Sequence, residues 1–479
     1  MIIPRQTVAL WLAVFSMVLA ASTPRHGDAA SNPPASTPLS AEAAKIAAIV
    51  DPLIAKELKD SGIPGAAFVF VRNGRIVYGK GYGVSDAAAR TPVDPDRTVW
   101  PIASITKAVT AIGVLQLVDE GKLELDKDIN QYLKRLQVPA QGYGPLTLRH
   151  LLSHTAALDE LPGRQFDGRR PPDMAAFLKK KLVRYRAPGK LTAYSTYGMA
   201  LAGVVLEDVS REKYPKYLAR HVFKPAGMPT ARIMRVRGDE KGVATPYGIE
   251  DGKATAIQHE FYVTPPTSSM VASVNDMGRL MTTWLASARG EKNDLLSPQL
   301  AQAMHKQQAT NHPEVPGWGL GLQLDRVNGI DLAEHGGDIG GFAALMTLIP
   351  SSSSGFYIVH HGEGGSLRFR VKEALMDALF PVTTTTVPLA EPENAALDEY
   401  AGRYISSIAC RSCPGASENA FALTAQPNGT LSLWGQAWLP LRKDLFVRDD
   451  GRRLLGFARD ESGKIVSVTG GSWRVADRL

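Results

Sequence analysis

A serine and a lysine three positions apart, Ser104 and Lys107, open a strongly apolar segment. If the segment is helical, both side chains project from one face, and the lysine amine can reach the hydroxyl. A lysine among apolar residues is destabilising unless it is paired, and loss of water lowers its pKa, which makes the amine usable as a base. The helix N-terminus adds positive potential where an anion would develop. The pattern predicts that Ser104 is a nucleophile activated by Lys107.

Two later segments carry polar residues that could complete such a site. They are Tyr194-Ser195-Thr196 and His335-Gly336-Gly337. An S-x-x-K motif with two further polar elements downstream is typical of β-lactamases and penicillin-binding proteins. A second S-x-x-K, from Ser210 to Lys213, lies among charged residues. Solvation accounts for that lysine, so the first copy is the candidate site.

The chain resembles the class C β-lactamase-like family of serine hydrolases, which includes D-alanyl-D-alanine carboxypeptidases, D-aminopeptidases and esterases. The resemblance extends to residues 121–126, 146–158, 225–228 and 318–321, and it covers about residues 52–381. Within LTLRHLLSHTAAL (146–158), Ala156-Ala157 stands where the family usually has Ser-Gly. The family's fold is expected here, namely the penicillin-recognising fold of the α/β (α+β) class, an antiparallel sheet flanked by helices plus an all-helical region.

The resemblance implies a role for each element. Ser104 is the acylated nucleophile, Lys107 its activator, and Tyr194 the general base or acid, its phenol held near the Lys107 cation so that phenolate is favoured. The backbone N–H groups of Ser104 and Asp338 form the oxyanion hole. The remaining positions expected at the site are catalytic His335 and the substrate-binding residues Thr196, Gly336 and Gly337. Water deacylates the enzyme, so neither a metal nor an organic cofactor is required.

The sequence departs from the family pattern at two positions that bear on substrate. Thr196 stands where Asn is usual, and His335-Gly336 replaces Lys-Thr, which removes a fixed charge and a hydroxyl that grip a substrate carboxylate. We therefore expect a small ester or amide, with a peptide as a further possibility. The alternatives are a D-alanyl-D-alanine carboxypeptidase or a class C-like β-lactamase. His335 could also merely shape its strand.

Other classes of function are less compatible with the sequence. No G-x-S-x-G pentapeptide of an α/β-hydrolase occurs. A non-catalytic penicillin-recognising binder or sensor stays open, although Ser104, Lys107 and Tyr194 are all retained. His150 and His154 have metal-ligand spacing, but no Glu follows His150, which favours structural roles. The formal charge of +7 comes mostly from scattered basic residues, so no nucleic-acid partner is expected.

The elements that must position these residues follow from periodicity and turn signals. Helices are predicted at residues 41–58, 104–120 and 367–379. Strands are predicted at residues 66–72 and 75–79, joined by Asn73-Gly74, and at residues 318–324, 342–349 and 356–360. The middle of the chain, to about residue 290, reads as mostly helical.

The domain boundaries follow from changes in composition. Residues 1–21 read as a signal peptide, residues 22–40 as a spacer and residues 382–394 as a linker, with the hydrolase domain at 41–381. The apolar run at residues 8–21 is short for a membrane span, so an exported, periplasmic or secreted protein is expected. Residues 395–479 read as a small all-β domain that resembles the lipocalin-like domain of many family members. Its Cys410 and Cys413 are expected to form a local disulfide, and the domain is expected to modulate access or stability without supplying catalytic residues.

Overall fold

The computed structural model describes residues 39–382, 397–470 and 475–479. The predicted signal peptide, nearly all of the spacer and all but the first residue of the linker lie outside these ranges. Within them, no helix is both long enough and apolar enough to cross a membrane.

Most of the helices lie, in sequence, between the first strand of the large sheet, at Gly65–Arg72, and its last strand, at Ser354–His361. Their bounds are α1 (Ala41–Ser61), α2 (Thr106–Asp119), α3 (Leu148–Leu152), α4 (Met174–Lys179), α5 (Thr196–Ser210), α6 (Tyr214–Leu218), α7 (Pro265–Ser268), α8 (Val274–Ala288), α9 (Pro298–His305) and α10 (Leu367–Leu379). The predicted helix at residues 367–379 is confirmed, and the predicted first helix extends to Ser61.

The strands form one large sheet, three small ones and a barrel. Before the barrel they are β1 (Gly65–Arg72), β2 (Arg75–Asp86), β3 (Thr91–Pro92), β4 (Trp100–Pro101), β5 (Gln165–Phe166), β6 (Arg232–Ile233), β7 (Tyr247–Glu250), β8 (Lys253–Ala256), β9 (Phe261–Tyr262), β10 (Met270–Ala272), β11 (Gln323–Val327), β12 (Ile330–Ile339), β13 (Phe342–Ile349) and β14 (Ser354–His361). The large sheet has the antiparallel order β11-β12-β13-β14-β1-β2-β3.

Helices cover both faces of the large sheet. The central strand β1 is buried along nearly its whole length, as a strand with helices on both faces must be. Ala43, Ile46, Val50 and Ile54 form the buried stripe of α1, and they pack with α10 against one face. The larger core, which includes α2, α5 and α8, covers the other face. This is the predicted sheet flanked by helices.

The C-terminal strands close into a barrel, as the all-β prediction anticipated. They are β15 (Gly402–Ser406), β16 (Phe421–Ala425), β17 (Leu431–Leu433), β18 (Gln436–Arg442), β19 (Leu445–Arg448), β20 (Leu454–Arg459), β21 (Ile465–Thr469) and β22 (Val475–Arg478). Aromatic residues including Tyr404, Trp438 and Phe457 fill its interior. The predicted disulfide joins Cys410 to Cys413 in the loop after β15.

Two predicted elements differ from the structure. Most of the predicted strand at 318–324 is irregular, and β11 begins only at Gln323. The glycines explain this: a Cβ on Gly319 would lie 2.0 Å from the Met304 carbonyl oxygen, and one on Gly321 would lie 2.4 Å from the Ala111 Cβ. This segment is therefore a closely packed backbone. Strand β12 was not predicted, because its charged and glycine residues disguise the alternation of a strand.

Candidate active site

Ser104 lies on a short 3₁₀ turn, Ala103–Ile105, directly before α2. The predicted helix at 104–120 thus begins with this tighter turn. Ala103 has a φ of +48°, a left-handed conformation that costs a non-glycine residue free energy and is common where a site is held in a strained geometry. Ile105 and Thr106 are fully buried whereas Ser104 is partly exposed, so the turn presents the hydroxyl to solvent at the head of α2.

Lys107 is buried behind Ser104. Its Nζ lies 2.9 Å from the Ser104 Oγ and donates a hydrogen bond to the Thr267 carbonyl oxygen, also at 2.9 Å. Only 1% of the residue is exposed. Burial, assisted by the positive charge of Arg164, lowers the pKa of Lys107 well below its ordinary value. A neutral amine in contact with a hydroxyl can accept the proton of that hydroxyl.

Tyr194 lies on the other side of the serine. Its phenol lies close enough to the Ser104 side chain for the serine to influence the pKa of the phenol, and the Lys107 Nζ lies 5.0 Å from the ring centroid. Burial raises the pKa of Tyr194, although the contact with Ser104 opposes this rise. We expected the lysine cation to favour a phenolate. Burial instead shifts both groups towards their neutral forms, a protonated phenol and an amine.

Two aromatic side chains hold the Tyr194 ring. The His154 ring lies 4.6 Å from it and the Trp318 ring 5.8 Å from it, measured between centroids. The His154 Nδ1 accepts a hydrogen bond of 3.0 Å from the Ser195 backbone N–H, which fixes the neutral tautomer with hydrogen on Nε2. His150 instead caps α3 through Thr147. Both histidines predicted as structural therefore have contacts that account for them.

An acidic residue that the sequence did not single out, Glu160, organises the start of α5. Its Oε1 accepts hydrogen bonds from the Ser195 hydroxyl at 3.0 Å and from the backbone N–H groups of Thr196 and Tyr197 at 2.6 and 3.3 Å. These N–H groups have no partner within the helix, so a carboxylate stabilises them and the helix dipole. Glu160 thereby fixes the helix that begins directly after Tyr194.

Strand β12 brings the third predicted element to the site. His335 is fully buried, its Nδ1 donates to the Gly336 carbonyl oxygen at 2.7 Å, and its ring centroid lies 6.1 Å from that of Tyr194. Burial is the main cause that lowers the pKa of His335 to about 3. Gly337 is required, because a Cβ there would lie 2.3 Å from the carbonyl oxygen of Ile102. His335 therefore stands beside the site as a neutral ring.

The direction of the Asp338 N–H follows from the hairpin that ends β12. Ile339 pairs with Phe342 across a two-residue loop, so it forms a hydrogen-bonded pair, and Asp338 with Ala343 forms the next, non-hydrogen-bonded pair. The Asp338 N–H consequently points away from β13. The neighbour on that side, β11, pairs with β12 no further than Glu334. The N–H thus faces the open edge beside the serine turn, as an oxyanion donor must.

Arg368 of α10 holds this strand end in place. One guanidinium nitrogen donates to the carbonyl oxygens of Gly337 and Ala344 at 2.9 and 3.0 Å, and another donates to the Asp338 carboxylate at 2.8 Å. Only 6% of the Arg368 side chain is exposed. Sequence reasoning missed Arg368 and Glu160, because neither lies in a motif.

The structure thus brings Ser104, Lys107, Tyr194 and His335 together. Thr196 lies at the same place but is 4% exposed, and its backbone N–H is engaged by Glu160. Gly336 and Gly337 act through their backbones beside His335. Among the residues that the structure describes, no group of three or more histidine, cysteine or acidic side chains could hold a metal ion.

The pKa directions predict the pH dependence of an enzyme using this site. Lys107 must be unprotonated to act as a base, so kcat/KM should rise with pH through one acid limb centred well below 10.5. His335, with a pKa of about 3, should add no inflection near neutrality. The measurement is the kcat/KM profile of wild type and His335→Asn. A limb displaced by more than about one pH unit in His335→Asn would show that the histidine titrates in the working range.

Comparisons with known proteins agree with this fold. The Beta-lactamase family profile matches residues 50–379. "Protein flp" of Staphylococcus aureus (strain N315) is 24% identical over 319 residues, which are 65% of this chain and 62% of that protein. The chain therefore spans about three fifths of the length of the curated relatives it first matches.

Two solved structures share the architecture. The octameric penicillin-binding protein homologue from Pyrococcus abyssi superposes with a TM-score of 0.62 at 21% identity, covering 89% of this chain and 99% of that one. EstCE1, described as a hydrolase with promiscuous acyltransferase activity, gives 0.60 at 20% identity, covering 71% of this chain and 100% of that one. The family match extends over most of the chain, and the fold is the penicillin-recognising one. The chain therefore belongs to the beta-lactamase family.

Proposed function

We propose that the protein is a serine hydrolase that forms an acyl-enzyme on Ser104. The observation that carries the proposal is the buried Lys107 amine 2.9 Å from the Ser104 oxygen, with the Tyr194 phenol beside the same serine. Burying a lysine costs free energy. Activation of the partly exposed Ser104 hydroxyl would account for a buried lysine at this position. Labelling by a fluorophosphonate, mapped to a residue, tests the proposal.

The geometry supports a sequence of proton transfers. The Ser104 proton passes to the Lys107 amine as the Oγ bonds to the substrate carbonyl carbon. The backbone N–H groups of Ser104 and Asp338 stabilise the resulting oxyanion, each by about 3 to 4 kcal/mol. The protonated phenol of Tyr194 donates to the leaving group as the bond to it breaks, and the Lys107 proton returns to the phenolate. Water then attacks the acyl-enzyme, and Ser104 regains its proton.

We propose short acyl esters as the preferred substrates. A β-lactam and a peptide ending in D-alanine each carry a carboxylate, which the usual Lys-Thr pair meets with a charge and a hydroxyl. Here the corresponding His335 is buried with a pKa lowered to about 3, so it offers no positive charge near neutrality. A charge-assisted hydrogen bond contributes about 1.5 to 3 kcal/mol, so its loss costs about one to two powers of ten in selectivity. Thr196 also lacks the amide that would meet a substrate amide.

A substrate series checks this preference. We expect kcat/KM for p-nitrophenyl butyrate to exceed that for nitrocefin and for a D-Ala-D-Ala peptide in one buffer. His335→Lys is the matched variant, and it should raise the peptide-to-ester ratio by about tenfold because it restores a cation at this place. A wild-type lead of more than about tenfold for the peptide or the cephalosporin would rule out the ester preference.

One observation favours the second candidate, a D-alanyl-D-alanine carboxypeptidase or β-lactamase. Among the described residues, the Arg164 guanidinium has no ion pair or hydrogen bond, yet its charge lowers the pKa of Lys107. It could receive a substrate carboxylate in place of the missing lysine. If it does, Arg164→Gln should reduce activity on a D-Ala-D-Ala peptide at least about tenfold more than activity on p-nitrophenyl butyrate. Equal losses on the two substrates would remove this candidate's support.

We also propose that the protein is exported. The disulfide between Cys410 and Cys413 supports this, because such bonds persist in oxidising compartments. Fractionation of the native host, followed by N-terminal sequencing, tests it: a mature chain beginning near residue 22 outside the cytoplasm is expected. Recovery of the uncleaved chain from the cytoplasm would contradict it.

A further inference from the structure

The disulfide loop of the barrel docks on a buried aspartate next to the active site. Asp159 is 2% exposed, and its carboxylate accepts hydrogen bonds from the backbone N–H of Arg411 at 2.7 Å and that of Ser412 at 2.9 Å. The Ser412 hydroxyl adds a third at 2.6 Å. All three donors lie between Cys410 and Cys413, so the disulfide closes the loop that presents them.

Asp159 is joined to the catalytic machinery by its neighbour in sequence. Its Oδ1 also accepts the backbone N–H of Glu160 at 3.0 Å, and the Glu160 carboxylate holds the first N–H groups of α5 and the Ser195 hydroxyl. Ser195 directly follows Tyr194. The side chains of Asp159 and Glu160 thus connect the barrel loop to the segment that carries Tyr194.

A second contact reaches Tyr194 from the other direction along the chain. The Asn311 side chain accepts from the Thr192 backbone N–H at 2.6 Å and donates to the Thr192 carbonyl oxygen at 3.3 Å. Its amide nitrogen also lies 3.3 Å from the hydroxyl of Ser467, on β21 of the barrel. Thr192, Asn311 and Ser467 are all buried. The segment that carries Tyr194 is therefore tied to the barrel both before and after the tyrosine.

An ion cluster secures the same interface. Asp477 of β22 lies 2.8 Å from Arg186 of the hydrolase domain and 2.7 Å from Arg411 of the disulfide loop. Both guanidinium groups stack on the Tyr185 ring, at 5.1 and 4.7 Å from its centroid. These ion pairs and cation–π contacts are the third set of interactions between the barrel and the hydrolase domain.

We infer that the Cys410–Cys413 loop and Ser467 of the barrel are positioning elements of the active site, because they set the place of Tyr194 through Asp159 and Asn311. This inference rests on the proposed function, in which Tyr194 moves a proton. The barrel supplies no group to the reacting atoms. It contributes order instead, since a misplacement of about 1 Å at a reacting group can cost about a hundredfold in rate.

The test uses the full-length protein with p-nitrophenyl butyrate. The variants are the double Cys410→Ser/Cys413→Ser, which opens the loop, and Ser467→Ala, which removes the second contact. We expect kcat to fall by at least about tenfold in the double variant with KM changed by less than about threefold, because proton transfer suffers rather than binding. The acid limb of kcat/KM should move to higher pH, since a loosened site admits water and the pKa of Lys107 rises.

Ser432→Ala, at a half-buried position on β17 of the barrel, is the matched control and should keep kcat within about twofold of wild type, because Ser432 is not part of the contacts described above. Circular dichroism and thermal unfolding report folding for each variant. If the double variant does not fold, Ser412→Ala/Ser467→Ala decides by the same criteria. Folded variants with wild-type kcat and an unmoved acid limb overturn the inference. Failure of wild type to label at Ser104 would instead overturn the proposed function, so the two failures are distinguishable.

Discussion

Replacing Lys107 with methionine should reduce kcat by at least about a thousandfold and leave the fold intact. The change removes the proposed base, which lies 2.9 Å from the Ser104 oxygen, and general bases contribute about a hundredfold to ten-thousandfold in rate. Methionine has nearly the same length and no charge to bury, so it fits a site that is 1% exposed. Because burial disfavours the lysine's charge, the melting temperature should be unchanged or higher.

The second S-x-x-K motif supplies the control for this experiment. Lys213 is exposed and follows Ser210 at the same spacing, so Lys213→Met should keep full activity. Steady-state kinetics and thermal unfolding on the two variants make the comparison. A Lys107→Met protein that turns over at wild-type rate would show that another group activates the serine.

Replacing Lys372 with methionine should lower the free energy of unfolding by about 3 to 5 kcal/mol. The Lys372 side chain is 2% exposed, and its Nζ lies 2.7 Å from an oxygen of Asp325 and 2.7 Å from one of Glu334. Arg453, next to β20 of the barrel, also binds Asp325, at 2.9 Å. Without Lys372 the buried Glu334 loses its compensating charge.

The pH dependence of that loss has a definite sign. Burial raises the pKa of Glu334. In Lys372→Met the Glu334 carboxyl is protonated and neutral at low pH, so its burial costs little. At high pH the folded protein must either bury the charged carboxylate or hold a proton on it, and both cost free energy. A group whose folded pKa is raised loses its stabilising contribution as pH increases, so the urea midpoint should fall further at about pH 8 than at about pH 5.

Arg370→Met is the control on the same helix. Arg370 pairs with Glu57 at the surface, with 43% of its side chain exposed, and exposed pairs contribute at most about 1 kcal/mol. Urea unfolding of the three proteins gives the comparison. Equal urea midpoints for Lys372→Met and wild type would show that the ion pairs of Lys372 with Asp325 and Glu334 contribute no net stability.

The elements of the candidate site were predictable because they combine short motifs with strong local patterns. A serine and a lysine on one face of an apolar segment imply contact, and the structure has Lys107 touching Ser104. The all-β C-terminal region was also foreseeable from short strands separated by turn residues, and its resemblance to a lipocalin-like domain implied the barrel. These features depend on neighbours in sequence or on composition.

Features that depend on distant neighbours were not predictable. Glu160 and Asp159 look like ordinary loop acids in the sequence, and only the fold places one at the N-terminus of α5 and the other under the disulfide loop. Cys410 and Cys413 are far in sequence from Ser104, yet their loop binds Asp159, which directly precedes Glu160. The neutral form of Tyr194 has a similar origin, because burial, which depends on the whole fold, has the largest effect on its pKa.

The most direct test of the central claim is to treat the purified protein with a fluorophosphonate reagent and map the adduct by mass spectrometry. The buried Lys107 amine beside a partly exposed hydroxyl predicts a single adduct on Ser104, and no adduct and no turnover in Ser104→Ala. Folding of the variant is checked by circular dichroism. An adduct on Ser195 or Ser210, with Ser104→Ala still active, would contradict the assignment.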